Sequence, residues 1–95
     1  MFPVGDVRRD YAAKDRVLGV QIRKTAKAYP LKWLRAHPGI HKDQLAGQTI
    51  EIEVSPDGEV VSVRNQSGEA IPTIYAYWFA WQAFHPETLA FKVPR

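Results

Sequence analysis

Ninety-five residues are enough for one small domain with a modest core, and the 45% hydrophobic and 24% charged content is ordinary for a globular chain. The absence of cysteine excludes a disulfide framework, a thiol nucleophile and a cysteine metal cluster. The net charge of +3 comes from Lys and Arg scattered along the chain, without a block of like charges of the kind that marks a nucleic-acid binder.

The N-terminal Met1-Phe2-Pro3-Val4-Gly5-Asp6 lacks the apolar core of a signal peptide. Residues 1–15 read as an irregular lead-in, with Phe2 to Gly5 as an extended anchor, before a single compact domain over 16–95. So abrupt a start suits a piece of a longer protein. Arg16 to Arg23 alternates, with Leu18, Val20 and Ile22 on one face, and predicts a strand buried on that side. Gly19 within it suits a bulge or a close approach. Ala26 to Tyr29 returns as the second strand of a hairpin. Pro30 then opens a short helix over about 30–37, with Leu31 and Leu34 inward, which Pro38-Gly39 stops. Ile40 to Gly47 reads as a loop.

Gln48 to Val54 is the clearest strand, with Ile50, Ile52 and Val54 inward and Thr49, Glu51 and Glu53 outward. Ser55-Pro56-Asp57-Gly58 is a strong turn, because Pro presets φ and Gly supplies a positive one. Glu59 to Arg64 is the returning strand, with Val61 and Val63 on the core side. Glu69 to Pro72 reads as a short edge piece. An aromatic helix is expected over about 74–85, ended by Pro86, and then a last strand over 88–93.

The stretch from Ile74 to Thr88 organises the rest. No formal charge stands between Ala70 and Phe84. At about 100° per residue, Ile74, Tyr77, Trp78, Trp81 and Phe84 share a broad arc, while Ala76, Ala80 and Ala83 fall opposite. The uncharged run is too short for a membrane span of about 20 residues. Trp33 to Pro38 and Trp81 to Pro86 share the spacing Trp-x-x-x-His-Pro, which places each His beside its Trp on a helix. The expected fold is α+β: a curved antiparallel sheet of four to five strands, with the aromatic helix across it and the short helix at one end. Proline, lysine and loops should guard its edges.

Three pieces together resemble the bacterial and archaeal domain-of-unknown-function family 3179. They are Arg16-Val-Leu-Gly-Val20 with Ala26-Lys-Ala-Tyr-Pro-Leu31; His37 through Ile40 to Asp43 and Gly47; and Tyr77-Trp-Phe-Ala-Trp-Gln-Ala-Phe-His-Pro-Glu-Thr88. The resemblance spans residues about 2 to 92, and its last motif is the most specific. Many members carry a Cys-Pro-Leu segment and a long middle region; here a short hairpin, Val54 to Arg64, takes that place. The family implies a fold and a setting in longer, exported proteins, but no reaction.

Three functional readings follow. In the first, the chain is a non-catalytic binding or interaction module, with a protein partner or small ligand on the aromatic helix. Its site residues would be Tyr29, Trp33, His37, Asp43, Trp78, Trp81 and His85, and exposure of Trp78 or Trp81 would mark it. In the second, His37, Asp43 and His85 converge as a metal-dependent or His/carboxylate enzyme site. The competing reading keeps both histidines at helix C-termini, where a cationic ring suits the macrodipole. In the third, scattered cations gather on one face for nucleic acid. No catalytic residue set, no metal ligand set and no cofactor motif stands out: the serines lie in turns or strands, and the glycines are isolated turn residues.

Overall fold

The computed structural model describes residues 7–94. It is a mixed α+β fold of seven strands in two sheets with two short helices. The expected anchor from Phe2 to Gly5 lies outside the described residues. In chain order the elements are β1 (Arg16–Ile22), β2 (Thr25–Pro30), α1 (Leu31–Arg35), β3 (Gly39–Leu45), β4 (Gln48–Val54), β5 (Val60–Asn65), β6 (Thr73–Tyr77), α2 (Trp78–Phe84) and β7 (Leu89–Ala90). One sheet has the order β6-β1-β2-β7, and the other β3-β4-β5.

Strand β1 explains the layering, because it is buried on both faces. Leu18, Val20 and Ile22 join Tyr29, Leu31 and Leu34 against Leu45, Ile50, Ile52, Val54 and Val63 of the second sheet. Val17 points the other way and joins Ala26, Ala28, Trp78 and Trp81. The four-stranded sheet is thus the middle layer, between the three-stranded sheet and α2. The alternation of β1 and β4 puts the expected side chains in the core. Residues 7–15 carry no helix or strand but are laid against α2: Val7 and Tyr11 pack on the second cluster, and the Trp78 Nε1–H donates to the Arg8 carbonyl at 2.7 Å.

Several expectations are corrected. There is not one antiparallel sheet but two, and β7 joins β2 in parallel, Lys27 opposite Leu89. Where a loop is expected over Ile40 to Gly47, Gly39–Leu45 forms β3. Ala46 and Gly47 both take positive φ, 51° and 75°, the geometry of a two-residue hairpin turn, so β3 pairs with β4 from Leu45 opposite Gln48 to Gly39 opposite Val54. Val61 is exposed rather than inward: the register slips between Glu53 and Val54, so that Val61 becomes the extra residue of a bulge and Val60 and Val63 face the core.

A further correction concerns the aromatic stretch. Thr73–Tyr77 is a strand, and the helix begins only at Trp78. Ile and Tyr favour an extended, half-buried surface, and pairing with the second edge of β1 from Arg16–Tyr77 to Val20–Thr73 overrides the helical spacing. α2 has no side-chain N-cap; the Trp78 and Phe79 N–H groups donate to the carbonyls of Asp15 and Ala13, at 2.7 and 3.0 Å. Likewise Pro30 closes β2 and caps α1, which spans Leu31–Arg35 rather than about 30–37.

Candidate functional site

The seven sequence-derived site residues fall into two groups on opposite faces of the four-stranded sheet. Tyr29 and Asp43 meet between the two sheets, and Trp33 and the exposed His37 stack beside them at the end of α1. Trp78, Trp81 and His85 lie with α2 on the other face.

In the first group Asp43 of β3 reaches across to β2. Its Oδ2 accepts from Lys27 Nζ and from the Tyr29 hydroxyl, both at 2.6 Å, and its Oδ1 accepts from the Gln44 N–H at 2.9 Å. Burial pushes the Asp43 carboxyl up, but the Lys27, Tyr29 and Gln44 hydrogen bonds and the Lys27 charge outweigh it and hold the pKa below 3.8. Burial, then the Asp43 hydrogen bond and charge, push the Tyr29 phenol well above its ordinary 10.0. At neutral pH Asp43 stays ionised with its oxygens engaged, and Tyr29 stays protonated. Neither is tuned to exchange a proton near pH 7. The trio acts as a clamp between the sheets.

Beside the clamp is an aromatic cluster. Trp33 stacks on His37 with centroids 4.3 Å apart, and lies 5.1 Å from the His41 ring and 4.9 Å from Phe91. His37 Nδ1 meets the Trp33 carbonyl at 2.7 Å, and His41 Nε2 meets the His37 carbonyl at 2.6 Å. Carbonyls only accept, so both ring nitrogens carry hydrogen. Sequence reasoning missed His41, Lys27 and Phe91 here. The Pro38-Gly39 break hides the first, because it separates two histidines that β3 brings back past α1.

On the other face the sequence-derived assignment is corrected. Trp78 is 0% exposed and Trp81 5%, so both are core residues and not a contact surface. The Trp81 Nε1–H donates to Thr88 Oγ1 at 2.9 Å, and its ring lies over Gly19: a Cβ there would stand 2.3 Å from a ring atom. The close approach expected at Gly19 is that of an indole. Trp78 meets Tyr11 edge-on at 5.0 Å and Arg8 at 5.5 Å. His85 lies 4.1 Å from the Trp81 ring, so both Trp-x-x-x-His pairs meet as their spacing implies.

What the stretch does expose is its other side chains. Ile74, Tyr75, Tyr77, Phe79 and Phe84 are 43–69% exposed. Ile74, Ala76, Ala80, Phe84 and His85 border an open, mainly apolar groove of about 540 Å³, with Trp81 and Gly19 also lining it. Tyr75 lies on the opposite face of β6, near Arg35 and Glu59.

His37, Asp43 and His85 do not assemble. His37 is held by Trp33, Asp43 by Lys27 and Tyr29, and His85 lies on Trp81. Among the described residues no three His, Cys, Asp or Glu side chains form a group that could hold a metal ion. Nor, among them, is any helix long and apolar enough to cross a membrane, which says nothing of a β-barrel. Compared with family models, with curated proteins and with solved structures, the chain gives no match.

Proposed function

We propose that the chain is a non-catalytic binding or interaction module of a larger or exported protein, the setting that the resemblance to family 3179 implies. Its contact surface is the apolar strip of Ile74, Tyr75, Tyr77, Phe79 and Phe84. The observation that carries this reading is the exposure of five large apolar side chains within eleven consecutive residues that bear no charge. Exposed apolar side chains crowded along one edge strand and the helix that follows it, Ile74 and Phe84 on one face and Tyr75 on the other, cost solubility and mark interaction surfaces in soluble proteins. The carboxylate and phenol nearest to enzyme-like geometry, Asp43 and Tyr29, are bound to each other and Asp43 to Lys27, which favours the module reading over one that needs Asp43 to act with His37 and His85. Four of the thirteen cations, Arg8, Lys27, Arg35 and Lys42, face a carboxylate, which counts against the nucleic-acid reading, while Lys14, Arg16, Lys32 and Arg35 do line one open pocket.

The test is chemical-shift mapping on ¹⁵N-labelled chain with small aromatic fragments and short extended peptides. Shifts confined to residues 73–84 are expected. Shifts centred on His37, His41 and Asp43 instead would replace this reading with one at the inter-sheet cluster.

A further inference from the structure

Among the described residues strand β6 is the edge of its sheet, and it lacks within itself the devices that keep edges from pairing. Natural edges carry lysine, proline, bulges or a cover. Thr73-Ile74-Tyr75-Ala76-Tyr77 has no charge and no proline, and its register with β1 runs unbroken. The expectation that Pro and Lys guard the edges therefore does not hold at β6; Pro72 stands just outside it.

The phase of the ladder shows which backbone groups point away from β1. The Trp78 N–H donates to the Asp15 carbonyl, in line with the β1–β6 register. Bonded pairs alternate in an antiparallel ladder, so Ala76 and Ile74 bond inward to β1, and Thr73, Tyr75 and Tyr77 turn their N–H and C=O groups outward. Unpaired polar backbone beside exposed apolar side chains is a template for another strand.

We propose that a second copy of this chain occupies the edge, its β6 antiparallel to the first about a two-fold axis at Tyr75, forming one continuous eight-stranded sheet. This rests on the reading of residues 74–84 as a contact surface and names its occupant. In that register Tyr75 faces itself and Thr73 faces Tyr77, which puts every outward N–H and C=O of the strand in a two-bond ring. Ile74 faces Ala76, so the larger side chain meets the smaller one and projects over the groove beside Ala76 and Ala80. The sizes are self-complementary, as an isologous interface needs. Charge does not oppose the pairing: the strand is neutral, and Arg35 and Glu59 near Tyr75 pair with each other at 3.6 Å. A foreign strand would find no charge pattern here to select it.

The register gives a charge-swap test at exposed positions. Thr73→Lys with Tyr77→Lys sets lysine against lysine twice across the dyad, whereas Thr73→Lys with Tyr77→Glu sets lysine against glutamate. Light scattering and sedimentation on the full chain should find twice the 10.8 kDa mass at high concentration. The Lys/Lys variant should associate at least about tenfold more weakly than the Lys/Glu variant, with circular dichroism confirming that both fold. The amides of Thr73, Tyr75 and Tyr77 should gain exchange protection as wild-type concentration rises. A wild-type mass of one chain up to about 0.5 mM, which leaves any association at roughly millimolar or weaker, overturns the proposal, as do equal masses for the two variants. If fragments still shift residues 73–84 of such a monomer, the contact surface stands and only the second copy is lost; if they do not, both readings fall.

Discussion

Replacing Gly19 with alanine should cost far more than one methyl group suggests. In an ordinary strand interior, Gly→Ala gains about 0.5–1 kcal/mol. Here the new Cβ would stand 2.3, 2.5 and 2.6 Å from three atoms of the Trp81 ring, closer than any real contact. Trp81 is 5% exposed and is held at its far side by the 2.9 Å bond to Thr88 Oγ1, so it has little room to retreat. Overpacking of a filled core costs roughly 1–3 kcal/mol, and breaking the indole bond adds about 1 kcal/mol. Set against the ordinary gain, a net loss of roughly 1–3.5 kcal/mol follows, at roughly 4–8 °C of melting temperature per kcal/mol in a domain of this size. Urea unfolding followed by tryptophan fluorescence measures it. The decisive comparison is Gly19→Ala in a Trp81→Leu background. Without the indole the added methyl has space, so the cost should nearly vanish and the double-mutant coupling should exceed about 1 kcal/mol. Equal costs in both backgrounds would refute the steric account.

Three further outcomes follow from the clamp and the N-terminal packing. Asp43→Asn leaves the Lys27 ammonium, only 14% exposed, without its carboxylate, and should cost about 1–3 kcal/mol in urea unfolding at pH 7. Because the Asp43 pKa is lowered in the folded chain, its contribution is present above 3.8 and is lost as pH falls through the folded value; the Asn variant should therefore show a shallower acid slope. Tyr11 and Tyr29 are both raised above 10.0, mainly by burial, so folding favours their protonated forms; stability should fall as pH rises past 10, and Tyr29→Phe should flatten that fall. Trp78→Phe removes the donor to the Arg8 carbonyl and should speed proteolysis within residues 8–15, with cleavage after Lys32 or Arg35 unchanged; equal acceleration at both places would show general destabilisation instead.

How much of this was legible in the sequence depends on whether local pattern or distant partners decide each element. The alternation of Leu18, Val20 and Ile22, and of Ile50, Ile52 and Val54, marks inward faces that the core confirms, because a period of two has a single reading in a half-buried strand. Residues 74–84 satisfy two readings. Their spacing suits a helix and their composition suits a strand, and only the free edge of β1 decides that the first part is extended. β3 was hidden for a similar reason. His41, Asp43 and Leu45 alternate, but the preceding Pro38-Gly39 reads as a loop start, and Ala46-Gly47 is a weaker turn signal than Asn-Gly. The division into two sheets depends on long-range pairing that no local window carries.

The site was legible as a region but not as a set of side chains. The aromatic stretch was identified, yet its tryptophans are buried and its smaller apolar residues are exposed. Gly19 decides the orientation. Its missing side chain leaves a seat on the sheet that only a large flat ring fills, so Trp81 turns inward and takes α2 with it. Tyr29 and Asp43 meet in the clamp, and Trp33 and His37 stack beside it.

The most direct test of that division is solvent paramagnetic relaxation of the labelled chain by a neutral gadolinium chelate, at a concentration low enough to keep it monomeric. The Phe79 and Phe84 side chains, 43% and 69% exposed, should broaden strongly, while the Trp78 and Trp81 indoles stay sharp. Indole signals that broaden as much as those of the two phenylalanines would contradict it, and would return the contact surface to the tryptophan face of the helix.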